Sequence, residues 1–198
     1  ARDAILAAAR GLELTSRNPA AATRAFAAAG ELAHARGLVW LEVSCQLESG
    51  AAIHELGDYD RAARCFDAAA LRARATGWPT LIVTCDTHFG ALLCDLGAYD
   101  ESQRTLEAAI ESLSARPRGA LLANAHAALA RTLLATRRTA EAVAQMDTAM
   151  DLLRAAGRPR DLAANLVLHA RVLAAATQPG RAVEALVEPA IERQPVDP

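Results

Sequence analysis

The chain repeats itself with a period of about forty residues, an interval typical of helical repeat proteins. The segment ELGDYDRAARCFDAAA at residues 55–70 returns as DLGAYDESQRTLEAAI at residues 95–110. A fixed period of this kind is typical of stacked repeats, in which one repeat alone cannot bury its apolar face. Extending the register by the same interval in both directions accounts for almost the whole chain without a slip. We therefore predict a single repeat domain of five units, approximately residues 1–37, 38–77, 78–117, 118–157 and 158–198.

Each repeat carries the apolar pattern of two helices. In the second helix, small, large and small side chains follow at i, i+4 and i+7, which is the spacing of one helical face. The large member of this pattern is Phe26, Phe66, Leu106, Met146 and Leu186 in successive repeats. In the first helix, small residues share a column made of Gly50, Gly90, Ala130 and Ala170. We predict that the small residues let paired helices approach and that the large ones fill the space between neighbouring pairs.

Helix-ending signals also recur in register. Gly37, Gly77 and Gly157 end second helices, and Pro117 takes the same position in the third repeat. Sustained alternation of apolar and polar residues, the signal for strands, is nearly absent. The predicted fold class is all-α: a right-handed α-α superhelix of five helix–turn–helix units, with about ten antiparallel helices. First helices are expected near 1–15, 38–56, 79–96, 119–136 and 160–176, and second helices near 20–36, 60–76, 100–115, 140–156 and 180–193.

The charge balance narrows the range of partners. The formal net charge is −2, and acidic and basic residues alternate along the predicted helices. Direct nucleic-acid binding needs a concentrated basic surface, so we do not expect it. No long run of uncharged apolar residues occurs, so we expect no membrane span. The chain begins ARDAILAAAR, without Met or a signal pattern, and we expect a cytoplasmic fragment of a larger multidomain protein. The four cysteines, Cys45, Cys65, Cys85 and Cys94, are expected to be reduced.

The second and third repeats resemble the tetratricopeptide repeat family. The matching residues are Gly50, Ile53, Gly57, Tyr59, Ala62, Phe66 and Ala69, and again Gly90, Leu93, Gly97, Tyr99, Leu106 and Ala109. The match is weaker in the other repeats, where Arg17, Arg137 and Thr177 replace the turn glycine. HEAT and armadillo repeats also reach a comparable length, but their signature lacks the Leu-Gly-x-Tyr turn. The resemblance implies a helical scaffold that presents a binding surface.

The repeats are longer than the usual tetratricopeptide unit, which has about 34 residues. The extra residues fall around the link LRARATGWPTLIV, residues 71–83, and lengthen both flanking helices. Units of this length resemble those of bacterial signalling and transcription regulators of the maltose-activator type and of related peptide-sensing regulators. That resemblance implies a sensory or regulatory domain attached to an output domain of DNA-binding, nucleotide-cyclase or kinase type.

Reactive groups do not converge in the sequence. Cys85 and His88 share a helix face, but Cys94 lies about 13 Å farther along the axis, too far to complete one tetrahedral metal site. The five histidines fall on different helices, and no phosphate loop, paired His-Glu motif or calcium loop appears. We therefore predict no catalytic residues, no metal, no cofactor and no enzymatic activity.

A partner is expected along the first helices, which line the inside of such stacks. Opposite their buried stripe, helical spacing places one set of polar residues: Ser44, Glu48, Glu55, Thr84, Thr87, His88, Asp95, Asn124, Arg131 and Arg171. The two arginines lie one repeat apart and suit a carboxylate or a peptide backbone. The carboxylates of the second and third repeats make the other end acidic. Such a groove would orient a bound segment.

Two non-catalytic functions remain open after this reading. The first is capture of a peptide, a protein segment or a small effector in the groove, which regulates the attached output domain. The second is a homo-oligomerisation scaffold, with a homodimer as the simplest form, that positions the output domain. The apolar residues Val183, Leu186 and Val187 near the end of the chain bear on the second function, because a polar cap is expected there.

Overall fold

The computed structural model describes residues 1–15, 17–114 and 119–191, and at 114 and 188–191 it describes the backbone. Within these residues all regular structure is helical. The helices are α1 (Arg2–Thr15), α2 (Pro19–His34), α3 (Val39–Glu55), α4 (Tyr59–Thr76), α5 (Pro79–Asp95), α6 (Tyr99–Ser114), α7 (Gly119–Ala135), α8 (Thr139–Ala155), α9 (Pro159–Ala175) and α10 (Pro179–Ile191). The predicted all-α repeat fold is confirmed, and the helix ends lie close to those expected. The predicted position of Pro117 and the predicted ends at 115 and 193 lie outside the described residues. Over the described helices, none is long and apolar enough to span a bilayer.

The helix ends follow from local chemistry. The side chain of Asp58 caps α4 by accepting from the backbone N–H of Arg61 at 3.2 Å. Proline occupies the first turn of α2, α5 and α9, where its missing N–H costs nothing. Gly37, Gly77 and Gly157 adopt positive φ at the ends of second helices, as the sequence predicts. These signals explain why the helices begin and end in register.

The turn between the two helices of a repeat keeps its conformation without glycine. Gly57 and Gly97 both have φ of 78°. Arg137 and Thr177, which replace glycine in the fourth and fifth repeats, have φ of 62° and 57°. A left-handed conformation costs an L-residue about 1–2 kcal/mol relative to glycine. The packing of the two flanking helices therefore imposes this turn, and glycine only lowers the conformational free energy that the turn costs.

The helices group into two compact units, an N-terminal unit (Ala1–Leu96) and a C-terminal unit (Gly97–Pro198). In the N-terminal unit, consecutive helices from α1 to α5 pack against one another, and α3 also packs against α1 and α5. In the C-terminal unit, consecutive helices from α6 to α10 pack against one another, and α7 also packs against α9. Each unit therefore has the hairpin-on-hairpin order expected of the repeat.

The repeat columns form the buried core, with one exception. Phe26, Phe66, Leu106 and Met146 are each at most 1% exposed. The prediction for Leu186 is wrong, because this side chain is 52% exposed. Leu186 lies on α10, which packs against α9, and its face is not covered by the described residues. The column is buried only where a neighbouring hairpin follows.

Small residues allow the closest helix approach, as predicted. A Cβ added to Gly50 would lie 2.6 Å from the ring of Phe66, and one added to Gly11 would lie 2.6 Å from the ring of Phe26. Gly11 stands one residue beyond the position that corresponds to Gly50, and the corresponding Arg10 is exposed. The first repeat therefore departs by one residue from the strict register that the sequence predicts. The reason is that the ring of Phe26 lies too close to α1 for any residue with a Cβ at position 11.

Candidate functional site

The predicted site residues of the second and third repeats lie on α3 and α5 of the N-terminal unit. We call Ser44, Glu48 and Glu55 of α3, with Thr84, Thr87, His88 and Asp95 of α5, the first-helix face. The two helices pack side by side. Glu55 and Asp95, in the last turns of their helices, are exposed, and the other five are half-buried. This face is shielded enough to strengthen electrostatic contacts and open enough to receive a partner.

Two carboxylates on α3 repel each other across this face. Burial raises the pKa of Glu48 above its ordinary value, and the charge of Glu55, two helical turns away, raises it further. The half-buried carboxylate therefore carries its charge at neutral pH at a cost in free energy. A cation placed between the two side chains would lower this cost.

A histidine that the sequence analysis did not select joins the two helices. Nε2 of His54 on α3 lies 2.7 Å from Oδ2 of Asp95 on α5. The His54 ring also meets the ring of Tyr59 edge-on, with centroids 5.5 Å apart. Helical spacing places His54 about 100° around α3 from Glu55, outside the selected stripe, so only the tertiary structure shows that it reaches Asp95.

His88 faces the interior more than predicted. Its ring stacks on Phe66 of α4 with centroids 5.5 Å apart and an angle of 27° between the planes. Burial, with a smaller contribution from the nearby His54, lowers the pKa of His88 to about 4. His88 is therefore neutral at pH 7, and in this structure it packs against the core while only its remaining surface borders the first-helix face.

The hydroxyl groups of the two threonines of the face already donate hydrogen bonds within α5. Oγ1 of Thr84 donates to the carbonyl of Thr80 at 2.8 Å, and Oγ1 of Thr87 donates to the carbonyl of Val83 at 2.8 Å. A hydroxyl that has donated its proton to its own helix can still accept one. Together with the carboxylates, these oxygens make the first-helix face a surface of hydrogen-bond acceptors.

The remaining predicted site residues lie on α7 and α9 of the C-terminal unit, where the two helices pack together. Asn124 and Arg171 are exposed, and Arg131 is half-buried. The predicted basic side chains are thus present on first helices that pack side by side, and they belong to a different unit from the carboxylates.

Three of the four cysteines have a raised pKa. All four are free. Burial raises the pKa of Cys45 and of Cys85 to about 11, with the charges of Glu48 and Asp86 adding to the effect. Burial also raises the pKa of Cys65. These thiols are protonated at neutral pH and are poor nucleophiles. No group of three or more His, Cys, Asp or Glu among the described residues is placed to hold a metal ion.

Comparison with known proteins shows the fold but not the family. No family model matches the chain, and no curated protein matches its sequence. A Rap protein solved in complex with Competence and Sporulation Factor superposes with a TM-score of 0.83 at 13% identity, covering 96% of this chain and 54% of that one. The chain therefore spans about half the length of that protein.

Two further structures match over nearly their whole lengths. A putative kinesin light chain of Podosopora anserina with nearly identical TPR-like repeats gives a TM-score of 0.63 at 15% identity, covering 96% of this chain and 95% of that one. MamA, from residue 41 to its end, of Desulfovibrio magneticus RS-1 gives 0.54 at 18% identity, covering 100% and 99%. The chain therefore has a tetratricopeptide-like, all-α repeat fold, and the predicted resemblance is confirmed at that level. The link to maltose-activator-type regulators stays a prediction.

Proposed function

We propose that this protein is a non-catalytic binding module that captures a peptide or protein segment through a basic side chain on the first-helix face. The observation that carries this proposal is the pair Glu48 and Glu55: burial raises the pKa of the half-buried Glu48, and repulsion by the charge of Glu55 raises it further. A Lys or Arg side chain placed between them would replace a repulsion by charge-assisted hydrogen bonds. A cationic small effector would use the same two carboxylates.

The backbone of the segment would use the rest of the face. Thr84 and Thr87 each retain acceptor lone pairs on Oγ1, and peptide N–H groups are the matching donors. The side-chain contact between His54 and Asp95 joins α3 and α5 at the end of the face. A rigid scaffold of this kind lowers the ordering cost of binding. The tetratricopeptide-like fold supports this role, since stacked helical repeats work through such extended surfaces.

We propose a separate contact for the C-terminal unit. Arg131 and Arg171, helped by Asn124, would hold a carboxylate of a partner through their guanidinium forks. We also propose that binding at these surfaces regulates an attached output domain, as in the bacterial signalling and transcription regulators whose long repeats this chain resembles. The proposed setting is the cytoplasm.

The test uses end-blocked peptides of the form acetyl-Ala-X-Arg-X-Ala-amide, where X is Ala, Leu or Ser. Isothermal titration calorimetry should show saturable binding, and Glu48→Gln with Glu55→Gln should weaken it at least tenfold, because a hydrogen bond to a charged group is worth about 1.5–3 kcal/mol. Affinity should also fall as the pH is lowered through the raised pKa of Glu48, at a higher pH than an ordinary glutamate would require.

The matched control replaces two exposed carboxylates elsewhere in the N-terminal unit, Glu13→Gln with Asp67→Asn. It removes the same charge and should leave the affinity unchanged. If both double variants weaken the affinity equally, the effect comes from net charge and not from the proposed site. If none of these peptides binds saturably, the proposed site is rejected.

A homo-oligomerisation scaffold is the second candidate function. It is favoured by the exposed apolar side chains of Val183, Leu186 and Val187 on α10, which are 62%, 52% and 46% exposed. Spacing of three and four residues places them on one helix face, where a second copy could bury them. Light scattering after size-exclusion chromatography tests this, and a strictly monomeric protein at high concentration would reject it.

A further inference from the structure

A cleft of about 560 Å³ opens on the other side of α3. Its walls are α2 and α4 and its floor is α3, so we call it the α2–α4 cleft. On α3 the lining residues Glu42, Gln46, Ser49 and Ile53 lie roughly opposite the stripe of the first-helix face, at about 100° per residue around the helix. The cleft is therefore distinct from the surface discussed above, and its volume is within the range of small-ligand pockets, about 300–1,000 Å³.

The cleft is lined by Gln46, whose half-buried side chain carries a polar atom without a partner. Oε1 of Gln46 is buried and has no hydrogen-bond partner among the described residues. A buried acceptor without a donor costs about 1–3 kcal/mol. Nearby, the carboxylate of Glu42 is only 7% exposed and is engaged by Nδ1 of His34 at 3.0 Å and by Arg72 at 3.4 Å. A ligand that brings a hydrogen-bond donor to Gln46 would therefore satisfy this acceptor.

The other repeats show how the same position is normally satisfied. One repeat after Gln46, Asp86 pairs with Arg74 at 2.9 Å. Two repeats after it, His126 is hydrogen-bonded to Gln145 at 2.6 Å. In the fifth repeat the position holds an apolar leucine. Among the described members of this column, Gln46 is thus the one that keeps a buried polar atom without a partner.

The same comparison explains why the cleft is open. Between α8 and α10, Nη2 of Arg181 reaches Oδ2 of Asp147 at 2.9 Å and bridges the two helices. In the N-terminal unit the corresponding arginine is Arg61, but alanine, Ala27, stands at the position of Asp147. Gly30, which also lines the cleft, stands where the fourth repeat has the fully buried Met150. Ala27 and Gly30 therefore leave space between α2 and α4, and Arg61 has no carboxylate at position 27 to pair with.

The ends of the cleft carry opposite charges. The contact between His34 and Glu42 sets the register of antiparallel α2 and α3. Counting four residues along each helix from this contact places Gly30 opposite Gln46, and Glu31, which also lines the cleft, is the residue next to Gly30. Arg61 lines the other end, together with Ile53. From Gln46 to Ile53 the axial rise is about 10 Å. An extended chain of about three residues covers this distance at roughly 3.3–3.6 Å per residue.

We propose that the α2–α4 cleft binds a short linear peptide of about three residues through its two free ends. On binding, the half-buried side chain of Gln46 turns so that Oε1 accepts from the terminal ammonium near Glu31, and the terminal carboxylate is bound by Arg61. Small apolar side chains lie against the wall formed by Phe26, Ile53 and Cys65. The neutral thiols of Cys45 and Cys65 suit such a wall, since burial raises their pKa.

The experiment follows the side-chain amide of Gln46 by ¹⁵N NMR while the protein is titrated with free-ended tripeptides of the form X-Ala-X, where X is Ala, Val or Leu. We expect saturable shifts. Acetylating the amino end or amidating the carboxyl end should each weaken binding at least tenfold, since each removes a charged hydrogen-bond partner. Blocked peptides that bind as tightly as free ones, or no saturable shift at millimolar concentration, would overturn the proposal.

Two variants locate the site. Ala27→Asp copies the ion pair of Asp147 with Arg181, so it should close the cleft and weaken binding at least tenfold while the far-ultraviolet circular dichroism stays unchanged. Gln46→Leu copies the residue of the fifth repeat and should weaken binding roughly fivefold; here calorimetry replaces the amide signal. Glu48→Gln with Glu55→Gln should have no effect on these peptides. Loss of binding in that double variant, with retention in Ala27→Asp and Gln46→Leu, would place the peptide elsewhere and reject the cleft.

Discussion

The close contact between Gly50 and Phe66 predicts how the substitution Gly50→Ala changes the free energy of unfolding. The added Cβ of Gly50→Ala would lie 2.6 Å and 2.8 Å from two ring carbons of Phe66 and 3.1 Å from Cβ of Cys65. The ring cannot move away freely, because it is 1% exposed and His88 stacks on it. Alanine gains about 0.5–1 kcal/mol of helix stability over glycine, but overpacking a core costs about 1–3 kcal/mol. We expect Gly50→Ala to destabilise the protein by about 1–2 kcal/mol.

The fourth repeat supplies the compensating change. There the corresponding residues are Ala130 and Met146, and both are fully buried. Phe66→Met alone should cost up to about 1.5 kcal/mol as a swap of one large apolar side chain for another. In the double variant with Gly50→Ala, the flexible methionine leaves room for the methyl group. The double variant should therefore be about 1–2 kcal/mol more stable than the sum of the single effects, within the range seen for contacting residues.

The assay is urea denaturation followed by far-ultraviolet circular dichroism, with the free energy taken from the midpoint and slope. Gly30→Ala is the matched control, because its added Cβ would meet only Cβ of Cys45, at an ordinary 3.6 Å. It should stabilise the protein by about 0.5–1 kcal/mol. If Gly50→Ala stabilises the protein as Gly30→Ala does, or if the double variant is additive, close packing of α3 on Phe66 is not what holds this hairpin together.

Single positions supply three further predictions. The pKa of His88 is lowered to about 4 from 6.5, so protonation favours the unfolded chain; stability should fall as the pH drops from about 6.5 to about 4, and His88→Phe should flatten this loss in denaturation series. Thr177→Gly should raise the thermal midpoint, because it relieves about 1–2 kcal/mol of left-handed strain against about 0.5–1 kcal/mol for the extra chain entropy of glycine. Arg137→Gly should raise it less, since threonine is β-branched and arginine is not; a lowered midpoint would contradict the strain. Ser102→Ala removes a buried 2.9 Å hydrogen bond to Thr132, and calorimetric unfolding should show a cost of only about 1 kcal/mol, because Oγ1 of Thr132 still donates to its own helix.

The helical repeat was predictable because its causes are local. Glycine and proline positions set the helix ends, and the small–large–small pattern marks the face that must be buried. Phe66 and Met146 are buried as their column predicts. Leu186 departs from expectation because its burial depends on a neighbouring hairpin. Gly11 departs from it because the contact depends on how α1 packs against Phe26. The forty-residue period predicts neither of these.

The candidate site was predictable only as a set of positions. Spacing correctly placed Glu48 and Glu55 on one face of α3. It did not show that His54 pairs with Asp95, that His88 stacks on Phe66, or that Gln46 faces a cleft without a partner. These are contacts between helices, and each depends on the level at which two helices meet.

By itself the sequence determined that this chain is built from helical hairpins repeated at one constant interval, because capping and apolar periodicity act within one or two helical turns. The tertiary structure alone decided which buried polar groups find partners and where a cleft stays open. The reason is that such pairing depends on distances of a few ångströms between residues tens of positions apart in the chain, such as Arg181 and Asp147, or Arg61 and Ala27.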